Sequence, residues 1–152
     1  MPRIVSDIDG TVFNAGKPMK KVIDYIRKNS EEVVFLTNRP ESERKKTVSD
    51  LKKVGLKYES LIMNTTGESA PVFKKDVIKK MVDGGRRVAE FIDDRADTRK
   101  AVKSLGVKVT DPASIHGEKN VDKSASYSNH ERLAKSIDLL EGILKNILKD
   151  LK

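Results

Sequence analysis

Two aspartates one residue apart are the first groups in this chain that could do chemistry. They lie in Ser6-Asp7-Ile8-Asp9-Gly10-Thr11-Val12, directly after the apolar pair Ile4-Val5. If strand geometry continues through this stretch, both carboxylates point to one side of the pleat. Gly10 then allows a sharp exit, and Thr11 can bond the turn backbone. Two close carboxylates repel each other unless something cationic lies between them. A hard, oxygen-loving Mg²⁺ ion is the usual resolution. The motif alone is ambiguous, because DxDG is also a fragment of polar turns and Asp-rich calcium loops. Three further features carry chemistry: the hydroxyl of Thr37, the lysine pair Lys74-Lys75, and a second acidic pair, Asp93-Asp94. On its own, that second pair could simply complement a helix dipole.

The elements around these residues alternate. A short strand precedes Asp7, and 13–18 reads as a loop. Residues 19–28 form a helix with Val22, Ile23 and Ile26 on one face. The β-rich run 32–36 is a buried strand that ends at Thr37-Asn38-Arg39-Pro40. A helix over 43–54, with Ser42 as its cap, turns Val48, Leu51 and Val54 inward. A third strand spans 60–64, a helix 72–82, a fourth strand 88–92, a helix 96–105 and a fifth strand 107–109. This order predicts an α/β domain: a Rossmann-like parallel sheet of about five strands with helices on both faces. Ligands of such sheets lie beyond the carboxyl ends of the strands. Asp7 and Asp9, Thr37, and Asp93-Asp94 each sit at or just past such an end, so all can meet in one crevice. Lys74 and Lys75 open a helix that can reach the same edge.

The organisation expected is a catalytic-type domain over 1–117, a polar linker over 118–128 and a helix over 129–152. Leu133, Ile137, Leu140, Leu144, Ile147 and Leu151 make a heptad seam on that C-terminal amphipathic helix. Either it docks on its own domain or it pairs with a partner helix, a second copy included.

Composition excludes several classes. There is no cysteine, so neither disulfides nor thiol chemistry operate, and a cytoplasmic location is expected. His116 and His130 are too few and too distant for a zinc site. No apolar run is long enough to span a membrane, and no signal peptide is readable at the N-terminus. Residues 118–152 hold seven Lys/Arg and six Asp/Glu, so +7 of the net charge of +8 falls within 1–117. That body suits an anionic partner, nucleic acid being the obvious candidate, although Lys-rich helix surfaces alone give the same sign.

The series DxDGT, strand-Thr, Lys, strand-Asp-Asp resembles the haloacid dehalogenase (HAD) superfamily of phosphohydrolases over residues 3–110. The resemblance implies Asp7 as nucleophile, Asp9 as acid and base, Thr37 as a phosphoryl-oxygen ligand, and Lys74 or Lys75 as the charge-balancing lysine. It implies Mg²⁺ held by Asp7, Asp93, Asp94 and the backbone carbonyl of Asp9. No cap domain fits between the motifs. Leu36-Thr37-Asn38-Arg39 and Ile92-Asp93-Asp94-Arg95 look most like the 3′-phosphatase domain of phage-type polynucleotide kinase/phosphatases. Thr11, Asn38 and Arg39 then become substrate-binding residues. The chain departs from that pattern at Ala70, where an acidic residue is usual, and it holds no GxxxxGK(S/T) kinase loop. A Mg²⁺-dependent phosphomonoesterase acting on a nucleotide or nucleic-acid 3′-phosphate is the expectation. The alternatives are a small-metabolite or sugar phosphatase working as an oligomer, and a non-catalytic assembly module built on the C-terminal helix.

Overall fold

A computed structural model describes residues 2–116; the linker and heptad helix expected over 118–152 lie outside the described residues. The sheet is built from β1 (Arg3–Ser6), β4 (Glu32–Pro40), β5 (Ser60–Asn64), β6 (Glu90–Ile92) and β7 (Val109–Thr110). Its order is β5-β4-β1-β6-β7, and every pairing is parallel. The helices are α1 (Lys20–Asn29), α2 (Arg44–Val54), α3 (Ala70–Asp83), α4 (Ala96–Lys103) and the short α5 (Pro112–His116).

The pleat divides the core in two. Ile4, Val33, Phe35 and Ile92 pack with Val22, Ile23 and Ile26 of α1 and Leu51 of α2. Their neighbours Val5, Val34, Leu36 and Phe91 pack with Phe73, Ile78 and Met81 of α3 and Val102 of α4. Each strand is therefore apolar on both faces, as a parallel sheet covered on both sides requires. The chain leaves β1 towards β4 and β5, then returns to the other side of β1 for β6 and β7. The strand order thus reverses at β1, and a crevice opens at its carboxyl end.

Several local expectations are corrected. Residues 13–18 are not a plain loop but a small hairpin, β2 (Phe13–Asn14) with β3 (Lys17–Pro18). Ala15 and Gly16 both have positive φ, 53° and 81°, the backbone demanded by a tight two-residue hairpin turn. β4 does not stop at Leu36. It runs on to Pro40, with a register shift against β5 between Thr37 and Pro40. A 3₁₀ turn, Glu41–Glu43, holds Ser42, so that residue does not cap α2. On α2 it is Thr47 that is buried, while Val48 faces outward. α3 begins two residues early, at Ala70, with Pro71 in its first turn, where a missing N–H costs nothing. β6 omits residues 88 and 89, and β7 starts only at Val109. The polar stretch after residue 111 opens with α5.

Candidate active site

β1 ends at Ser6, but the backbone N–H of Asp7 still bonds the carbonyl of Ile92, so Asp7 stays pinned between β1 and β6. Its side chain is buried. Lys74, in the second turn of α3, reaches under the sheet edge and is only 2% exposed. Its Nζ donates to Asp7 Oδ1 and to Asp93 Oδ2, each at 2.7 Å. Thr11 donates its hydroxyl to the other Asp7 oxygen at 3.2 Å. Asp93 Oδ1 accepts the backbone N–H of Arg95, which opens α4, and the guanidinium of Arg99 binds the Asp93 carbonyl.

Burial pushes the Asp7 carboxyl up to about 7, against the pull of Lys74. Burial likewise raises Asp93, again against Lys74. Burial opposes the charge on Lys74, but the two carboxylates prevail and raise its pKa. One ammonium is therefore shared by two buried acids, and a third acid stands next to them. Carboxylate oxygens of Asp7, Asp93 and the exposed Asp94 lie within 4.8 Å of one another. Three carboxylates and one ammonium leave two negative charges, all on hard oxygen donors. That donor set fits a divalent cation of the Mg²⁺ type. Gly10 makes room for the Asp94 carboxylate: at φ +81° a Cβ there would lie 2.1 Å from Asp94 Oδ2.

Asp9 takes a separate cation. The turn after Ile8 carries it away from Asp7, and its side chain is 61% exposed. Arg39 grips it with a two-pronged fork, Nε to Oδ2 at 2.9 Å and Nη2 to Oδ1 at 2.7 Å. This fork holds the Asp9 carboxyl below the usual carboxylate range. Thr37, at the end of the buried part of β4, accepts the backbone N–H of Arg39 at 3.1 Å. Asn38 accepts from the side-chain amide of Asn64, the last residue of β5.

The profile of the HAD superfamily, subfamily IIIB (acid phosphatase), matches residues 9–129. The chain belongs to this family. No curated protein matches. Among solved structures, a chain of the Pnkp1/Rnl/Hen1 RNA repair complex superposes with a TM-score of 0.63 at 20% identity, covering 73% of this chain and 42% of its own length. A second structure of a Pnkp1/Rnl/Hen1 complex gives a TM-score of 0.61 at 20% identity, covering 73% of this chain and 45% of that one. At that identity the likeness speaks for the fold. The chain spans less than half the length of these structural relatives.

Within this HAD chain, the residues singled out by sequence fall into two groups around the carboxyl end of β1. Asp7, Thr11, Lys74, Asp93 and Asp94 form the first; Asp9 and Arg39 form the second, while the Thr37 side chain bonds only the Arg39 backbone and the Asn38 side chain only Asn64 among the described hydrogen bonds. The shared face expected for Asp7 and Asp9 required β1 to continue, and it does not. Of the two lysines, Lys74 meets the acids, while Lys75 is half-buried beside it. Thr11 touches Asp7 and Arg39 touches Asp9, so both act on acids of the site. Sequence reasoning missed Thr47, Asp50 and Asn64. Thr47 and Asp50 accept from Arg39 at 2.8 and 3.3 Å. The Asn64 carbonyl gathers N–H and O–H groups of Thr66 and Gly67, shaping the loop into α3. Only the placement of Asn64 at a strand's carboxyl end could have flagged it.

Proposed function

We infer that this HAD-family chain is a Mg²⁺-dependent phosphomonoesterase that works through an aspartyl-phosphate on Asp7 and acts on nucleic-acid 3′-phosphate ends. The observation that carries the reading is the buried Lys74 ammonium, 2.7 Å from both Asp7 and Asp93, with Asp94 within reach of the same oxygens. Such an arrangement aims the Asp7 carboxyl, and a divalent cation on the same oxygens would favour its charged, nucleophilic form while offsetting the charge of an incoming phosphate.

An oxygen of Asp7 bonds to phosphorus as the bond from phosphorus to the leaving oxygen breaks. Asp9 gives its proton to that leaving oxygen. The Arg39 fork favours charged Asp9, whereas a phosphate dianion alongside favours the protonated form that this step needs. In the second half Asp9, now a carboxylate, takes a proton from water as the water oxygen bonds to phosphorus. The bond from phosphorus to Asp7 breaks, and inorganic phosphate leaves. Thr37 keeps its own hydroxyl proton for a phosphoryl oxygen, since its lone pair serves the Arg39 N–H. Asn38, its carbonyl held by Asn64, offers its NH₂ group to the substrate. Asp7, Asp93, Asp94 and the backbone carbonyl of Asp9 would hold Mg²⁺, which when bound would supply positive charge against the phosphoryl oxygens.

Three features support a polymeric substrate. The connection from β1 to β4 contains only the hairpin and α1, so among the described residues no inserted domain covers the edge. The body is basic. One structural relative comes from a complex named for RNA repair. A substrate panel tests this: 3′-phosphorylated oligonucleotides are preferred over sugar phosphates, their kcat/KM falls steeply with salt, and EDTA abolishes turnover. A preference for small sugar phosphates, indifferent to salt, contradicts the substrate assignment.

A further inference from the structure

Arg39 does more than pair with Asp9. Its guanidinium is nearly buried, with a side chain 12% exposed, and its third nitrogen is pinned to α2. Nη1 donates to Thr47 Oγ1 at 2.8 Å and to Asp50 Oδ2 at 3.3 Å. Thr47 is fully buried. It spends its only hydroxyl proton on the Glu43 carbonyl at 2.8 Å, so it can face Arg39 only as an acceptor. Residues 47 and 50 are three apart on one helix, hence on one face. Asp50 is itself held by Lys46 at 3.2 Å. The guanidinium plane is rigid, so fixing Nη1 fixes the direction of the Nε/Nη2 fork. That fork is the only grip on the Asp9 carboxylate among the described residues' hydrogen bonds. Arg39 lies within the register shift of β4 against β5, between Thr37 and Pro40.

We propose that Thr47 and Asp50 of α2 are positioning residues for proton transfer, setting through Arg39 where the exposed Asp9 carboxylate stands. The proposal rests on Asp9 being the acid and base. A misplaced acid harms a reaction in proportion to how much its leaving group needs a proton. An alkoxide leaving group needs one badly; p-nitrophenolate hardly does. General acid catalysis is worth roughly 10²–10⁴-fold, so partial loss of position forfeits part of that factor.

The test compares kcat/KM for an alkyl phosphate and for p-nitrophenyl phosphate, in Mg²⁺, across wild type, Thr47→Val, Thr47→Ser and Asp50→Asn. The parameter covers the steps up to departure of the leaving group. Thr47→Val and Asp50→Asn are expected to lower the alkyl-to-aryl ratio by about tenfold. Thr47→Ser, which keeps the acceptor, is expected to retain the wild-type ratio. Equal losses on both substrates, or an unchanged ratio, overturn the proposal, because a merely structural role moves both alike. If Thr47→Val does not fold, Asp50→Asn on the rim carries the same comparison. Should Asp9→Asn itself show the wild-type ratio, the assignment of Asp9 fails, and the proposal with it.

Discussion

At the scale of single residues, the site is a problem in charge. Asp7 and Asp93 are buried together, and Lys74 alone does not satisfy both. The Asp7 carboxyl is raised from 3.8 to about 7, so in the metal-free protein it keeps a proton that the unfolded chain has released. Its contribution to stability is therefore fully present below pH 3.8 and is lost as pH rises through about 7. Asp9, Asp50 and Glu59 are shifted downward, so their contributions change only below that window. The thermal midpoint in EDTA should fall as pH is raised from about 5 to 8. Added Mg²⁺ should remove most of that slope, since a cation favours the ionised acids, and Asp7→Asn should flatten it without metal. A midpoint independent of pH in EDTA would contradict the charge argument. Gly10 gives a second prediction at this scale. Gly10→Ala needs both a strained positive φ and displacement of the Asp94 carboxylate. The Mg²⁺ concentration that half-stabilises the protein in a melt should rise by roughly tenfold, a size typical of disturbed metal surroundings.

At the scale of elements, what the sequence made legible is the sheet, and what it hid is polar. Strands with apolar residues on both faces and helices with apolar stripes announce themselves by period, so the alternation of β and α was readable, and with it the strand ends after which Asp7 and Asp93 follow, whereas Thr37 lies inside β4, which runs on to Pro40. α2 shows the limit. A stripe of Val48, Leu51 and Val54 fits the hydrophobic pattern, yet the helix is rotated so that Thr47 is buried and Val48 is 37% exposed. In this orientation Thr47 gives Arg39 a buried acceptor, a contact that no hydropathy pattern records. Val48→Lys should therefore change stability by no more than about 0.5 kcal/mol. Leu51→Ala, at a fully buried position, should cost about 2–5 kcal/mol in chemical denaturation. The reverse order of effects would mean that α2 is turned the other way. The hairpin over residues 13–18 escaped notice for a different reason. Its strands are two residues each, and Ala15 takes a positive φ that its side chain does not advertise.

At the scale of the molecule, function depends on chain reversal at β1. Sequence positions as far apart as 7, 74 and 93 meet because β4 and β6 flank β1 and α3 returns beneath the same edge. Motif order hinted at this meeting, but the division of labour among cations did not show. Lys74 serves Asp7, and Arg39 serves Asp9, because β1 ends before Asp9 and sends it outward. The heptad seam of 129–152 lies outside the described residues. The role of Asp7 as nucleophile is tested most directly by phosphate release from p-nitrophenyl phosphate in Mg²⁺ by wild type and by Asp7→Asn, with thermal melts of both. Asp7→Asn is expected to lose at least about 10³-fold with the cooperative melt retained, since the nucleophile alone is removed. An Asp7→Asn protein that is folded and turns over at the wild-type rate would contradict that role.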